Sequence, residues 1–148
     1  MNGPAVRPAA RRRWLRRAAL TGALLAIYPA FVFGSVYAHW FAAGLPGGRN
    51  GPADAYRHSL ASATVAYTGS PRWVAWVTLL MEGDGSGNDM RAMDAHNNRI
   101  GARIGAHAGS WREMQCAVRA AVASGAVDAA EPEQITWLPP SRWQDRLY

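Results

Sequence analysis

The sequence predicts an all-α protein in which an N-terminal membrane-spanning helix precedes a small domain of about four helices. From Ala18 to Ala43 no residue is formally charged apart from the titratable His39. After Pro52, segments with helical apolar spacing are separated by glycine, proline and serine breaks, and no stretch alternates long enough for a strand. Cys116 is the only cysteine, so an intrachain disulfide and a cysteine-based zinc site are excluded.

The positive charge of the chain is confined to its beginning. The 148 residues contain 16 arginines, no lysine and 10 acids, for a formal net charge of +6. Six of these arginines precede residue 18 with no acid among them, so the remainder is neutral. A neutral body lacks the positive face that displaces phosphate counterions, and we therefore expect no nucleic-acid partner.

The apolar segment is long enough for a helix to cross a hydrocarbon core of about 30 Å. Pro29 is tolerated within a membrane span, and aromatic residues near position 40 are typical of its interfacial end. By the positive-inside rule, residues 1–17 are a basic cytoplasmic segment and residues 18–43 a transmembrane signal-anchor. The expected location is a bacterial inner membrane, with the domain of residues 50–148 facing the periplasm after a linker at 44–49.

Two alternatives compete with a permanent anchor. Val36-Tyr37-Ala38 fits the small-x-small pattern of a signal-peptidase site, so the segment is also compatible with cleavage. The stretch Arg11–Arg16 resembles a twin-arginine export signal, with Trp14 where phenylalanine is usual. The apolar region is long for a cleaved signal and ends in aromatic residues, which favours an uncleaved anchor.

Four helices are expected in the outer domain, each bounded by a capping residue or a breaker. Pro52 and Pro71 suit first helical turns, and Ser110 begins a capping box with Glu113. The expected ranges are 54–67, 71–82, 89–108 and 111–124. In the second helix the apolar residues fall on one stripe, formed by Trp73, Trp76, Val77 and Leu80. The tail, Ile135–Tyr148, is expected to lie over the helices as an irregular strap, because Pro139-Pro140 forbids a regular element.

Three glycines recur every four residues along the third helix and at its end, at Gly101, Gly105 and Gly109. A helical glycine costs up to about 1 kcal/mol against alanine, so a packing reason is expected. Small residues let another backbone approach closely. Packing against a neighbouring helix of the same domain is favoured over dimerisation.

Polar residues that could carry chemistry occur in three places. Asp54 and His58 are four apart and share a helix face, where a carboxylate can orient an imidazole or both can bind a metal; Arg57 lies beside them. Glu82 ends an apolar helix and suits a general acid, although an exposed carboxylate at a helix end explains it equally well.

The third place is the segment from Asp94 to Asn98. On a regular helix Asp94, Asn97 and Asn98 share one face, and His96 points about 200° away from Asp94. Either Asp94 with an asparagine, or His96, is therefore expected in a pocket. The competing interpretation is a polar network that bonds helices together.

The motifs NGPADAYRH at 50–58, Glu82, and MDAHNNRIG at 93–101 resemble a bacterial family of uncharacterised domains. That family reads roughly NGPxDAFRHA, then HE, then MDLHNNxxG, and occurs in secreted, wall-associated and toxin-like proteins. The resemblance covers about residues 50–105, and the chain departs from it at Met81, where histidine is usual. It implies an all-helical exported domain but no substrate. The implied polar centre consists of Asp54, His58, Glu82, Asp94, His96 and Asn97.

Two classes of function follow. The first is an envelope hydrolase acting on peptidoglycan, phospholipid or peptide, with His58 as general base, Glu82 as acid, and Arg57 or Asn97 holding an oxygen. In a metal-dependent version Asp54 and His58, with Asp94 or His96, are the ligands; no particular metal or cofactor is indicated. The second is a non-catalytic envelope protein that presents a helical module to a partner, with the polar residues as a buried network.

Overall fold

The computed structural model describes residues 8–82, 89–129 and 131–144, and for residues 8–10 and 80–82 it describes the backbone alone. In these ranges the chain is predominantly helical, which confirms the predicted fold class. The helices are α1 (Pro8–Ala43), α2 (Pro52–Thr68), α3 (Pro71–Glu82), α4 (Asp89–His107) and α5 (Trp111–Ala123). Strands β1 (Ala126–Val127) and β2 (Thr136–Trp137) follow, and then a 3₁₀ turn at Pro140–Arg142.

Helix α1 contains the predicted apolar segment. Residues Arg11–Ala43 form a helix of 33 residues that is, by length and composition, long and apolar enough to cross a membrane. Only 6% of its most apolar window is buried in the protein. The helix ends before Gly44, which has a φ of +61° that a residue without a Cβ adopts readily.

The predicted helix starts are confirmed by their caps. Ser70 Oγ accepts a hydrogen bond from the Arg72 backbone N–H at 3.2 Å, at the start of α3. Ser110 Oγ accepts from the Glu113 N–H at 3.2 Å, and Glu113 Oε2 accepts from the Gly109 N–H at 2.9 Å. These bonds satisfy backbone donors that a helix N-terminus leaves without an intrahelical partner.

Helices α2 and α4 pack together at the centre of the domain through two of the three glycines. A Cβ on Gly101 would lie 2.2 Å from the Ser59 carbonyl oxygen, and one on Gly105 would lie 2.2 Å from that of Ala63. Because the contact advances four residues along both helices, they run parallel with their backbones touching. The prediction of packing within the domain is confirmed for these two positions. Gly109 lies beyond α4 and meets only the Glu113 side chain.

The hydrophobic core lies between α2 and α5 and includes residues from both ends of the chain. Leu60 of α2 packs with Met114 and Val118 of α5, and all three are buried. Val36 of α1 and Ile135, just before β2, also belong to this cluster. The end of α1 is therefore part of the folded domain.

The apolar stripe predicted on α3 faces away from this core. Of its predicted members, Trp73 is 53%, Trp76 71% and Val77 58% exposed, whereas the neighbouring Val74 is buried. The side chain of Leu80, the fourth predicted member, lies outside the described residues. Leu79, next to it, is 59% exposed. An apolar stripe normally marks the face of a helix that is removed from water.

Residues 134–144, called the strap here, cross the outer end of the helices. The strap is more regular than predicted, because β2 pairs in parallel with β1 in the register Ala126↔Thr136. A two-residue strand is too short for an alternating pattern to reveal it. The strap then passes along the loop before α2, where Arg49 and Gln144 form an antiparallel bridge. It thereby closes the domain against the start of α2.

The contact between α2 and α4 can be tested at Gly101. The substitution Gly101→Ala should lower the free energy of unfolding by about 1–3 kcal/mol, because the new Cβ would meet rigid backbone. Chemical denaturation of the full chain in detergent micelles measures this. Gly109→Ala is the matched control and should change stability little. A Gly101→Ala protein as stable as the parent would show that the two helices do not touch here.

Candidate functional site

The site is built around the first turn of α2. Asp54 is 2% exposed, and its Oδ2 accepts a hydrogen bond from the Asn50 backbone N–H at 2.7 Å. Its Oδ1 lies 2.5 Å from Arg57 Nη2 in a salt bridge. A carboxylate at a helix N-terminus also interacts favourably with the helix dipole. Asp54 is therefore held rigidly as a buried anion.

His58 stands between two carboxylates from different helices. Its Nε2 lies 3.5 Å from Asp54 Oδ1, one turn earlier on α2, and 3.6 Å from Asp94 Oδ1 on α4. These distances are slightly longer than a direct hydrogen bond. The side chains of His58 and Asp94 are 22% and 16% exposed, so both reach the surface while Asp54 stays beneath them.

The three side chains are close enough together to hold a cation. One ligand atom from each of Asp54, His58 and Asp94 lies within 4.8 Å of the other two. Imidazole and carboxylate are suitable ligands for zinc and related metals. Both Asp54 oxygens already accept hydrogen bonds from Asn50 and Arg57, however, which makes this carboxylate better suited to orienting His58 than to binding a metal.

The orientation of α4 decides which of Asp94 and His96 lies in the site. Asp94 faces α2 and belongs to the site. His96 points to the strap instead, where its Nε2 donates to the Gln134 carbonyl oxygen at 2.8 Å. The expected angular separation of these two residues on a regular helix is thus observed, and His96 lies outside the polar centre.

Asn97 is also directed at the strap, contrary to its expected place in a pocket. Its side chain is fully buried, its Nδ2 donates to the Thr136 carbonyl at 2.7 Å, and its Oδ1 accepts from the Thr136 N–H at 3.0 Å. The Asn97 amide thus bonds the Thr136 backbone in the way that the backbone of a neighbouring strand would. Because both functional groups of the amide are occupied, Asn97 fixes the fold here.

Asn98 forms part of the contact between α2 and α4. Its Oδ1 accepts from Ser62 Oγ at 2.8 Å, and both residues are buried. The polar network that was the competing interpretation therefore exists for the asparagines. It is adjacent to the Asp54–His58–Asp94 cluster but separate from it.

Glu82, the expected acid, falls at the edge of the described part of the chain. It is the last residue of α3, and its side chain lies outside the described residues, as does that of Met81. Arg57 is in the site through its salt bridge to Asp54 and is 17% exposed.

Asn50 supports the site through hydrogen bonds, a role that sequence reasoning missed. It adopts a φ of +64°, which asparagine tolerates better than most residues. Its backbone N–H binds Asp54, its carbonyl accepts from the Leu138 N–H at 2.9 Å, and its Nδ2 donates to the Arg142 carbonyl at 3.0 Å. The Asn-Gly-Pro sequence at 50–52, a typical turn signal directly before a helix, was the sign of such a role.

The neighbouring Tyr56 belongs to the core and not to the site. Burial raises the pKa of its phenol above the usual value of 10.0, although Arg119 acts in the opposite direction. Tyr56 is 3% exposed and packs in the main hydrophobic cluster. The phenol is accordingly neutral at physiological pH.

Two shallow cavities occur elsewhere among the described residues, and neither is lined by His58 or Asp94. One of about 490 Å³ lies between α4 and α5 around Ile104 and Ala121. The other, of about 560 Å³, lies between α3 and α4 around Val74 and Ala102. His58 and Asp94 are instead part of a polar patch that is partly exposed to solvent.

The fold and the site together define a small helical domain, continuous with one long apolar helix, that carries a histidine between two carboxylates. Residues 39–126 match the family model of a domain of unknown function, DUF6973, over more than half of the chain. The chain therefore belongs to this family, in agreement with the expected uncharacterised family. Neither the comparison with curated proteins nor that with solved structures found a match.

The role of Asn97 is testable through stability. Asn97→Ala leaves the Thr136 N–H and carbonyl buried without their partner, which should cost about 2–4 kcal/mol of unfolding free energy. The Thr136 amide proton should also exchange faster with solvent, as measured by NMR or mass spectrometry.

Asn98→Ala is the matched control, because it removes a neighbouring buried amide that does not touch the strap. It should leave exchange at Thr136 unchanged. Equal protection of Thr136 in the parent and in Asn97→Ala would contradict the assigned role.

Proposed function

We propose that the chain is a membrane-anchored domain of the bacterial inner membrane, with residues 50–148 on the periplasmic side. The arginine excess before residue 18 supports a cytoplasmic N-terminus by the positive-inside rule. An uncleaved anchor is supported by packing, since cleavage after Ala38 would remove Val36, which is 3% exposed in the domain core.

This topology can be tested with a reporter. Alkaline phosphatase, which is active only after export, should be active when it is fused after Tyr148 and inactive when it is fused after Arg17. The full-length form should remain in the membrane fraction. A fusion after Tyr148 that functions only with a cytoplasmic reporter would overturn the orientation, and a soluble mature form beginning near His39 would overturn the anchor alone.

The proposed activity is hydrolysis of an envelope substrate such as peptidoglycan or phospholipid at the Asp54–His58–Asp94 cluster. The observation that carries this proposal is the position of His58 Nε2, 3.5 Å and 3.6 Å from two carboxylates of different helices. A carboxylate that accepts a hydrogen bond from one ring N–H fixes the tautomer of the histidine. The other ring nitrogen then acts as the base. Hydrogen bonds of this kind are often long before substrate binds.

In this mechanism His58 Nδ1 takes a proton from water, and Asp54 and Asp94 hold the ring and stabilise the imidazolium that forms. Asp54 suits this role because it is buried and held by Asn50 and Arg57. Glu82 remains the proposed acid that protonates the leaving group. Arg57, being partly exposed, is a better candidate than the fully buried Asn97 for holding a substrate oxygen.

A non-catalytic role as an envelope interaction protein is the second candidate. It is favoured by the observation that His96 and Asn97 hold the strap and both Asp54 oxygens receive internal donors. On this hypothesis the polar residues specify the packing of α2, α4 and the strap.

Substitution at the site separates the two candidates. His58→Ala and Asp94→Asn should lower the release of label from sacculi or phospholipid vesicles by at least about 100-fold, as expected for loss of a general base. Their unfolding free energies should fall by less than about 1 kcal/mol, as is usual for substitutions outside the core. His96→Ala is the control that keeps activity, and chelation with EDTA should leave the rate unchanged.

The structural hypothesis predicts the opposite pattern. Removing one partner of a buried charged network typically costs about 3–5 kcal/mol. If both substitutions destabilise the full chain to that extent and the parent degrades neither substrate, the hydrolase proposal is wrong. Activity that EDTA abolishes and zinc restores would instead assign the cluster to a metal.

A further inference from the structure

Helix α1 contacts the domain well before its apolar segment ends. Tyr28 Oη is hydrogen-bonded to Thr68 Oγ1 at 2.8 Å, and its ring makes an edge contact with Trp73 at 6.0 Å between centroids. One turn further on, Phe31 contacts Trp111 at 5.8 Å. The contacts continue to Trp40, whose Nε1 donates to the Ala53 carbonyl at 2.8 Å. The domain thus lies beside α1 from residue 28 onward.

The length of α1 that lies clear of the domain is too short to span a bilayer. From Arg17, the last charged residue of the basic cluster, to Tyr28 the helix rises about 16 Å at 1.5 Å per residue. The hydrocarbon core is about 30 Å thick. Arg16 and Arg17 can extend their side chains back to the inner interface, which lets about three more residues of α1 lie within the hydrocarbon. Even then, about 10 Å of the hydrocarbon thickness lies beyond Tyr28. That remainder must be crossed where the domain is already packed on α1.

Helix α3 presents a surface suited to this depth. It begins at the level of Tyr28, since Trp73 touches that ring, and it carries no formal charge from Trp73 to Met81. Trp76, Val77 and Leu79 are each more than half exposed on it. Tryptophan is enriched where a bilayer meets water, and aliphatic residues are stable in the adjacent hydrocarbon.

Cationic side chains are found near the same end of the domain. Arg72 directly precedes Trp73, Arg112 directly follows Trp111, and both are exposed. Arginines at this level can extend to lipid phosphates while the neighbouring rings stay in the apolar layer. The charge of the surface is therefore complementary to a phospholipid headgroup region.

From these observations we infer that the exposed face of α3 is embedded in the outer leaflet of the membrane, so that the base of the domain is partly immersed. This inference rests on the proposed anchoring of α1. The partner that covers the exposed face of α3 is lipid. Trp73 lies deepest, at the level of Tyr28, and Trp76, Val77 and Leu79 follow along α3 toward the outer interface. The His58 cluster, at the other end of α2, faces away from the hydrocarbon.

The experiment uses single cysteines in the full chain, because Cys116 is the only native one. Val77→Cys in a Cys116→Ser background is labelled with the fluorophore NBD and reconstituted in phosphatidylcholine–phosphatidylglycerol vesicles. Quenching by lipids with a doxyl group on the acyl chain is then measured. The native Cys116, exposed on α5, is the water-facing control, and Leu24→Cys in α1 is the membrane control.

We expect acyl-chain quenching at Val77→Cys to be at least twofold stronger than at Cys116, and quenching at Leu24→Cys to be strong. If Leu24→Cys is quenched but Val77→Cys resembles Cys116, the α3 inference is wrong while the anchor stands. If neither is quenched, the anchor itself fails. Disulfide cross-linking between two copies through Val77→Cys, without quenching, would assign the face to a second copy and overturn the inference.

Discussion

The backbone contact between α2 and α4 is the constraint on which the rest of the domain depends. Because Gly101 and Gly105 have no side chain, α4 rests directly on Ser59 and Ala63. Such close contact fixes both the register and the rotation of α4 relative to α2. That register places Asp94 opposite His58 and turns Asn97 toward Thr136. A larger residue at either glycine would move the site and the strap together.

The local structure could be predicted from the sequence because its signals are local. Ser70, Ser110 and Gly44 mark helix ends by hydrogen bonding or by backbone conformation, and the pair Asp54–His58 lies within one helix turn. The partner of His58 could not be chosen, because it depends on how α4 is rotated against α2. The sequence offered Asp94 and His96 on nearly opposite sides, and only the packing of α4 selects between them.

Two other features were beyond sequence reasoning for different physical reasons. The apolar stripe of α3 is compatible with a protein core and with lipid, since hydrophobic periodicity reports exclusion from water and not the identity of the apolar partner. The role of Asn50 depends on a left-handed backbone conformation and on strap residues more than 80 positions later in the chain. Neither the identity of the apolar partner of α3 nor the distant contacts of Asn50 leave a periodic pattern in the sequence.

The packing of α1 also determines whether the domain can be separated from this helix. The family match extends over residues 39–126, yet the hydrophobic core takes Val36 from before this range and Ile135 from beyond it. The borders of the family match and of the folded core therefore differ. A tether of unrelated sequence could not replace α1 without opening a gap in the core, so the long apolar helix and the stability of the domain are inherited together in this chain.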